Sequence, residues 1–146
     1  DSPIVNIHPE GDVVLTCGSI TPKRLRVSSL VLSMASPVFK VLFEPKFEEG
    51  IALASDKSLD ITLPEDDPDA MESICNVLHL RNDEAGISTT DHRAMTARQV
   101  LEIAVFCDKY NCQTAMAAAA TCWLLSCESS RSEDLHMLIT AAYRFQ

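Results

Sequence analysis

Two hydrophobic periods divide the chain. In "DVVLTCG" Val13, Leu15 and Cys17 alternate with Val14 and Thr16, the signature of a strand with one face more buried than the other. Gly18-Ser19 and Thr21-Pro22 supply turn chemistry before "RLRV" resumes, which predicts a hairpin. "LDITL" is the cleanest strand, with Leu59, Ile61 and Leu63 facing one way and Asp60 and Thr62 the other. Between hairpin and third strand lies "VLSMASPVFKVLF", thirteen residues of which nine are apolar. Pro37 cannot donate a helical hydrogen bond but suits the first position of a helix, with Ser36 as its N-cap. The stretch therefore predicts two short helices, "VSSLVLSMA" and "PVFKVLF", and not one.

Beyond Leu63 the period changes to that of helices. Asp67-Pro68 repeats the cap-then-proline start, and Met71, Ile74, Cys75 and Leu78 follow the i, i+3, i+4, i+7 rule of a buried face. A polar loop, residues 81–95, leads to a capping-box pattern at Thr96 and Gln99. The helix it opens, "ARQVLEIAVFCDKY", is apolar nearly all round and belongs at the centre of a core, with Asn111 as its C-cap. "QTAMAAAATCWLLSC" has high helix propensity, and "SEDLHMLITAAYRF" follows behind a serine cap. Trp123 reads as a core residue. A small three-stranded sheet followed mostly by helix predicts an α+β fold.

Composition narrows the function classes. A chain of 146 residues, 47% hydrophobic and 23% charged, fits one globular domain with a sizeable core. No apolar run reaches the roughly 18 residues of a membrane span, and no targeting segment is visible. The chain begins at Asp1 and stops at Gln146 within a helix-like stretch, so it reads as part of something longer. A net charge of −9 disfavours nucleic acid, whose phosphates need clustered Lys and Arg. The densest acidic cluster, Glu65, Asp66, Asp67 and Asp69, reads as a solvated, helix-capping loop. The six cysteines include no Cys-x-x-Cys pair, so reduced thiols in an intracellular compartment, cytoplasmic or nuclear, are the reading preferred over a metal site. The four histidines are scattered, and neither Ser28 nor Ser36 has a recognisable base. With four glycines there is no phosphate loop, and neither an enzyme nor a cofactor is expected.

Four stretches in this order resemble the BTB/POZ domain, particularly its fungal branch. "GDVVLTCG" is similar to the family's opening Asp-x-x-Leu strand. "LRVSSLVLSMASPVFKVLFEPKFEEG" resembles its strand-helix-helix block and acidic loop. "LDITLPEDDPDAMESICNVLHLR" resembles its third strand and following helix, and "LEIAVFCDKYNC" the next helix with its Asp-Lys-Tyr end. The likeness spans about residues 11–127, leaving 1–10 as an N-terminal arm and 128–146 as a helical extension. Ser28 stands where many animal members carry a histidine, a departure that weakens analogy to animal partners.

The resemblance implies protein–protein association. It places Val31, Leu32, Val38, Phe39 and Leu42 in the core, which leaves Leu30 and Met34 without an internal role. In BTB dimers this helix lies at the subunit interface, so a two-fold homodimer is implied. The alternative is that both side chains pack under the arm or are singly exposed. Ile4 and Ile7, in "IVNI", would add a strand across that interface, as in members that exchange strands. Phe47-Glu48-Glu49 resembles the hydrophobic-x-Glu motif by which some members dock on a cullin scaffold, with Phe47 as anchor and Glu49 fixing register; a plain acidic loop is the alternative. Asp12 reads as a turn or capping residue. In Asp108-Lys109-Tyr110 the ring is expected to be buried, with its hydroxyl near water. His79 is expected to sit favourably at the negative end of a helix dipole. Two other roles, substrate adaptor of a cullin-based ubiquitin ligase and dimerising module of a transcriptional regulator, remain open at this level.

Overall fold

The computed structural model describes residues 2–44, 58–85, 95–127 and 131–146. Within them four strands and six helices form an α+β fold. The strands are β1 (Ile4–Asn6), β2 (Val13–Cys17), β3 (Lys23–Val27) and β4 (Leu59–Leu63). The helices are α1 (Ser29–Ala35), α2 (Pro37–Leu42), α3 (Pro68–Leu78), α4 (Ala97–Tyr110), α5 (Gln113–Ser126) and α6 (Ser132–Arg144).

β2 and β3 form the expected antiparallel hairpin, with Leu15 opposite Leu25. β4 joins β2 in parallel, Leu15 beside Ile61, and the sheet order is β1-β3-β2-β4. One strand more is present than the hydrophobic pattern predicts. The arm contributes β1, which pairs in parallel with β3, Val5 beside Leu25. Val5, Leu25, Leu15 and Ile61 thus form one row across all four strands, and this row faces the helices. Full burial of each leucine contributes about 1.5–3 kcal/mol. The turn between β1 and β2 passes so close to β3 that a Cβ on Gly11 would lie 2.4 Å from the Val27 carbonyl oxygen. Only glycine fits there.

The helix starts obey the sequence signals at most ends. The Asp67 carboxylate accepts the Ala70 N–H at 2.8 Å, and Thr96 with Gln99 makes the reciprocal capping box of α4. Asn111 closes α4 in the left-handed conformation (φ 49°) that asparagine tolerates. At α6 the expectation fails. Arg131 occupies the cap position and Ser132 is already helical, so the serine caps nothing. α4 is central as expected, burying Val100, Ile103, Ala104 and Phe106, while α6 lies along it with Ala141 fully buried. Trp123 is a core residue whose indole N–H donates to the Ala85 carbonyl at 3.3 Å.

Candidate association surface

The α1–α2 pair is fixed at three points before its outer face is considered. Ser28 caps α1, its hydroxyl accepting the Val31 N–H at 3.5 Å. The Asp12 carboxylate accepts the Ser29 N–H at 2.8 Å and the Ser29 hydroxyl, so its capping role is as expected. At the hinge, extended Ser36 ends α1 and starts α2. Its hydroxyl accepts the Phe39 N–H at 3.1 Å and donates to the Tyr110 carbonyl at 2.5 Å. The two helices of the sequence reading are therefore present, and the Ser36-Pro37 break is bolted to the end of α4.

This geometry sorts the apolar side chains of the pair. Leu32 and Phe39 are fully buried, and Phe39 stacks on Tyr110 with ring centroids 4.4 Å apart. Val31 and Leu42 are partly buried. Val38 is not a core residue. It is 40% exposed, because a six-residue helix presents only one narrow stripe inward and Phe39 with Leu42 fill it. Leu30 and Met34, four residues apart on one face of α1, are 67% and 80% exposed. Val41 is also half-exposed. Both helices thus carry an apolar outer stripe whose one charged member is Lys40.

The other residues singled out in the sequence separate. Ile4 is half-buried in β1 beside Arg24. Ile7, only 4% exposed, closes into the chain's own core. Its N–H and that of His8 donate to the Arg26 carbonyl, at 3.1 and 3.0 Å. The Arg81 guanidinium donates to the carbonyls of Asn6 (3.0 Å) and Ile7 (3.4 Å), so the arm is tied to its own sheet. Nothing in the sequence marked Arg81 for this, since it opens a polar loop. Phe47 and Glu49 lie outside the described residues.

His79 joins α3 to the start of α1, and not as a cation on a dipole. Nδ1 lies 2.7 Å from the Cys75 carbonyl, and Nε2 accepts the Ser28 N–H at 3.0 Å. Together the contacts require a neutral ring with its proton on Nδ1. Burial pushes the His79 pKa below its ordinary value; the Cys75 carbonyl pulls the other way, and His8 and Arg81 add to the lowering.

The acidic loop is also more than a solvated cap. Asp66 is 3% exposed and takes hydrogen bonds from both the Tyr110 hydroxyl and the Lys109 ammonium. The Tyr110 hydroxyl therefore ends on a buried carboxylate, and burial followed by that bond raises the phenol pKa. A run of four acids gives no signal for which one turns inward. Lys23 ties the first turns of α3 to the hairpin through Asp69 (2.6 Å) and Glu72 (2.5 Å). Burial pushes the Cys17 thiol up to about 12 and raises Cys75 as well, which makes both poor nucleophiles. Among the described residues no group of three His, Cys, Asp or Glu side chains is arranged for a metal. None of the described helices is long and apolar enough to cross a membrane.

Compared with known families, residues 9–121 match the model of the BTB/POZ domain. No curated protein matches the chain.

Proposed function

The chain belongs to the BTB/POZ domain family, whose members are protein–protein interaction modules, and from that premise we propose that it pairs with a second copy of itself through the outer face of α1 and α2. The observation carrying this reading is the exposure of Leu30 and Met34 on a helix held at both ends. Side chains so placed are preorganised for a partner, because no ordering cost remains in the backbone beneath them. An isologous contact sets α1 against its own copy, the commonest route to a closed dimer. Ile4 lies in β1 at the sheet edge, and Ile7 is buried in the chain's own core. Six free thiols support an intracellular setting.

The test is the dissociation constant of the wild type beside Met34→Glu. A charge at the centre of a self-complementary patch enters the interface twice, so pairing weakens about a hundredfold or more. Unchanged pairing in a folded Met34→Glu protein contradicts the proposal. The adaptor role is a separate reading that rests on Phe47 and Glu49. Affinity capture of a cullin by the wild type, lost in Phe47→Ala, supports it; equal recovery from both proteins removes it.

A further inference from the structure

Two buried thiols, Cys107 and Cys112, meet at the end of α4. Asn111 turns the chain left-handed there, and two backbone bonds close the turn. The Asn111 N–H donates to the Asp108 carbonyl at 3.3 Å and the Cys112 N–H to the Cys107 carbonyl at 3.1 Å. This paired closure sets the side chains of its first and last residues against each other, here the two cysteines. Fixed bond lengths on either side of a 3.1 Å contact keep their Cα atoms within about 7 Å, the limit for a disulfide. The thiols also hydrogen-bond one another. Asp108, Lys109 and Asn111 are exposed, so the pair lies beneath a surface turn. It also brackets Tyr110, whose carbonyl holds the Ser36 hydroxyl at the α1–α2 hinge.

The two sulfurs are not equivalent. Cys112 is the N-cap of α5 and makes no side-chain cap bond, so its sulfur sits at the positive end of that helix, which favours a thiolate. The bond from Cys107 draws the Cys112 pKa below its ordinary value against the effect of burial. The same bond, followed by burial, pushes the Cys107 thiol up. Burial instead raises Cys17 and Cys75.

We propose that Cys107 and Cys112 are a modification site, a dithiol that a peroxide converts to an intrachain disulfide. The Cys112 thiolate attacks one peroxide oxygen: an S–O bond forms, the O–O bond breaks, and the departing hydroxide leaves as water with the Cys112 proton. The Cys107 sulfur then attacks the Cys112 sulfenic acid. The S–S bond forms, and the hydroxyl leaves as a second water with the Cys107 proton. Two thiols are oxidised and one peroxide is reduced. Two equivalents of a small thiol, themselves oxidised to a disulfide, reverse the change. The bond bridges the turn on which the α1–α2 hinge is bolted.

The test is hydrogen peroxide added to the folded, fully reduced protein, followed by alkylation in denaturant and peptide mapping. Cys122→Ser/Cys127→Ser leaves only Cys17, Cys75, Cys107 and Cys112, with no change at the pair itself. The expected result is the loss of two thiols. Trypsin cuts after Lys109, so the peptide holding Cys107 stays joined to the one holding Cys112 until reductant is added. Four alkylated thiols after peroxide, or a cross-link to Cys17 or Cys75 instead, overturns the proposal. In Cys107→Ser the sulfenic acid on Cys112 persists and is captured by dimedone, while in Cys112→Ser the Cys107 thiol takes no label. Equal labelling of the two overturns the order of attack, and the cross-link map stands without either variant should one fail to fold.

Discussion

Ser36 has no exposed surface, yet its hydroxyl is fully used, accepting from Phe39 and donating to the Tyr110 carbonyl. The first bond is legible in the sequence, because a serine followed by proline between apolar runs signals a helix start. The second is not, because Tyr110 is 74 residues away along the chain. Ser36→Ala removes a cap and leaves a buried carbonyl without its donor. The expected loss is about 2 kcal/mol of folding stability, read from urea unfolding. A loss below about 0.5 kcal/mol, the scale of ordinary surface changes, contradicts this role. Val38 and the Tyr110 hydroxyl show the same limit from the other side. Val38 is expected in the core and the Tyr110 hydroxyl near water, but the packing of Phe39 and Leu42 and the inward turn of Asp66 decide where they end.

At the scale of elements, strong periodic signals located β2, β3, β4 and the helices, and the caps at Ser36, Asp67 and Thr96 located the starts of α2, α3 and α4. The strand in "IVNI" was legible only through the resemblance, and as one added across an interface. Its pairing with the chain's own β3 was not, because three residues carry too little period and the pairing depends on Gly11 and Arg81, which lie outside it. The junction of α3 with α1 was also invisible, since it is made by a histidine ring across 51 residues. That junction makes stability pH-dependent. The His79 pKa is lower in the folded chain than in the unfolded one, so the unfolded state binds more protons in the window between them. The stabilisation is complete above the unfolded value of about 6.5 and is lost as pH falls from there toward the folded value. Protonated Nε2 would point a second donor at the Ser28 N–H. Melting temperature is thus expected to fall as pH drops below about 6.5, and to fall less steeply in His79→Gln, whose amide oxygen accepts without titrating. Equal slopes for the two proteins contradict the assignment.

For the molecule as a whole, the order of four weak stretches made the family legible where no single stretch did. The outer face of α1 was less legible, because the chain's own core and its exposed apolar positions draw on the same residue types. Leu32 and Met34 are both large apolar residues, and the bolted geometry of α1 turns one inward and leaves the other 80% exposed. The account's central claim is that this face meets its own copy. Sedimentation equilibrium over a micromolar concentration series at physiological ionic strength tests it most directly. A mass of twice the 16.0 kDa chain for the wild type, falling to a single chain for Leu30→Asp/Met34→Asp, is the predicted result. A wild type that stays at single-chain mass through the whole series would contradict it.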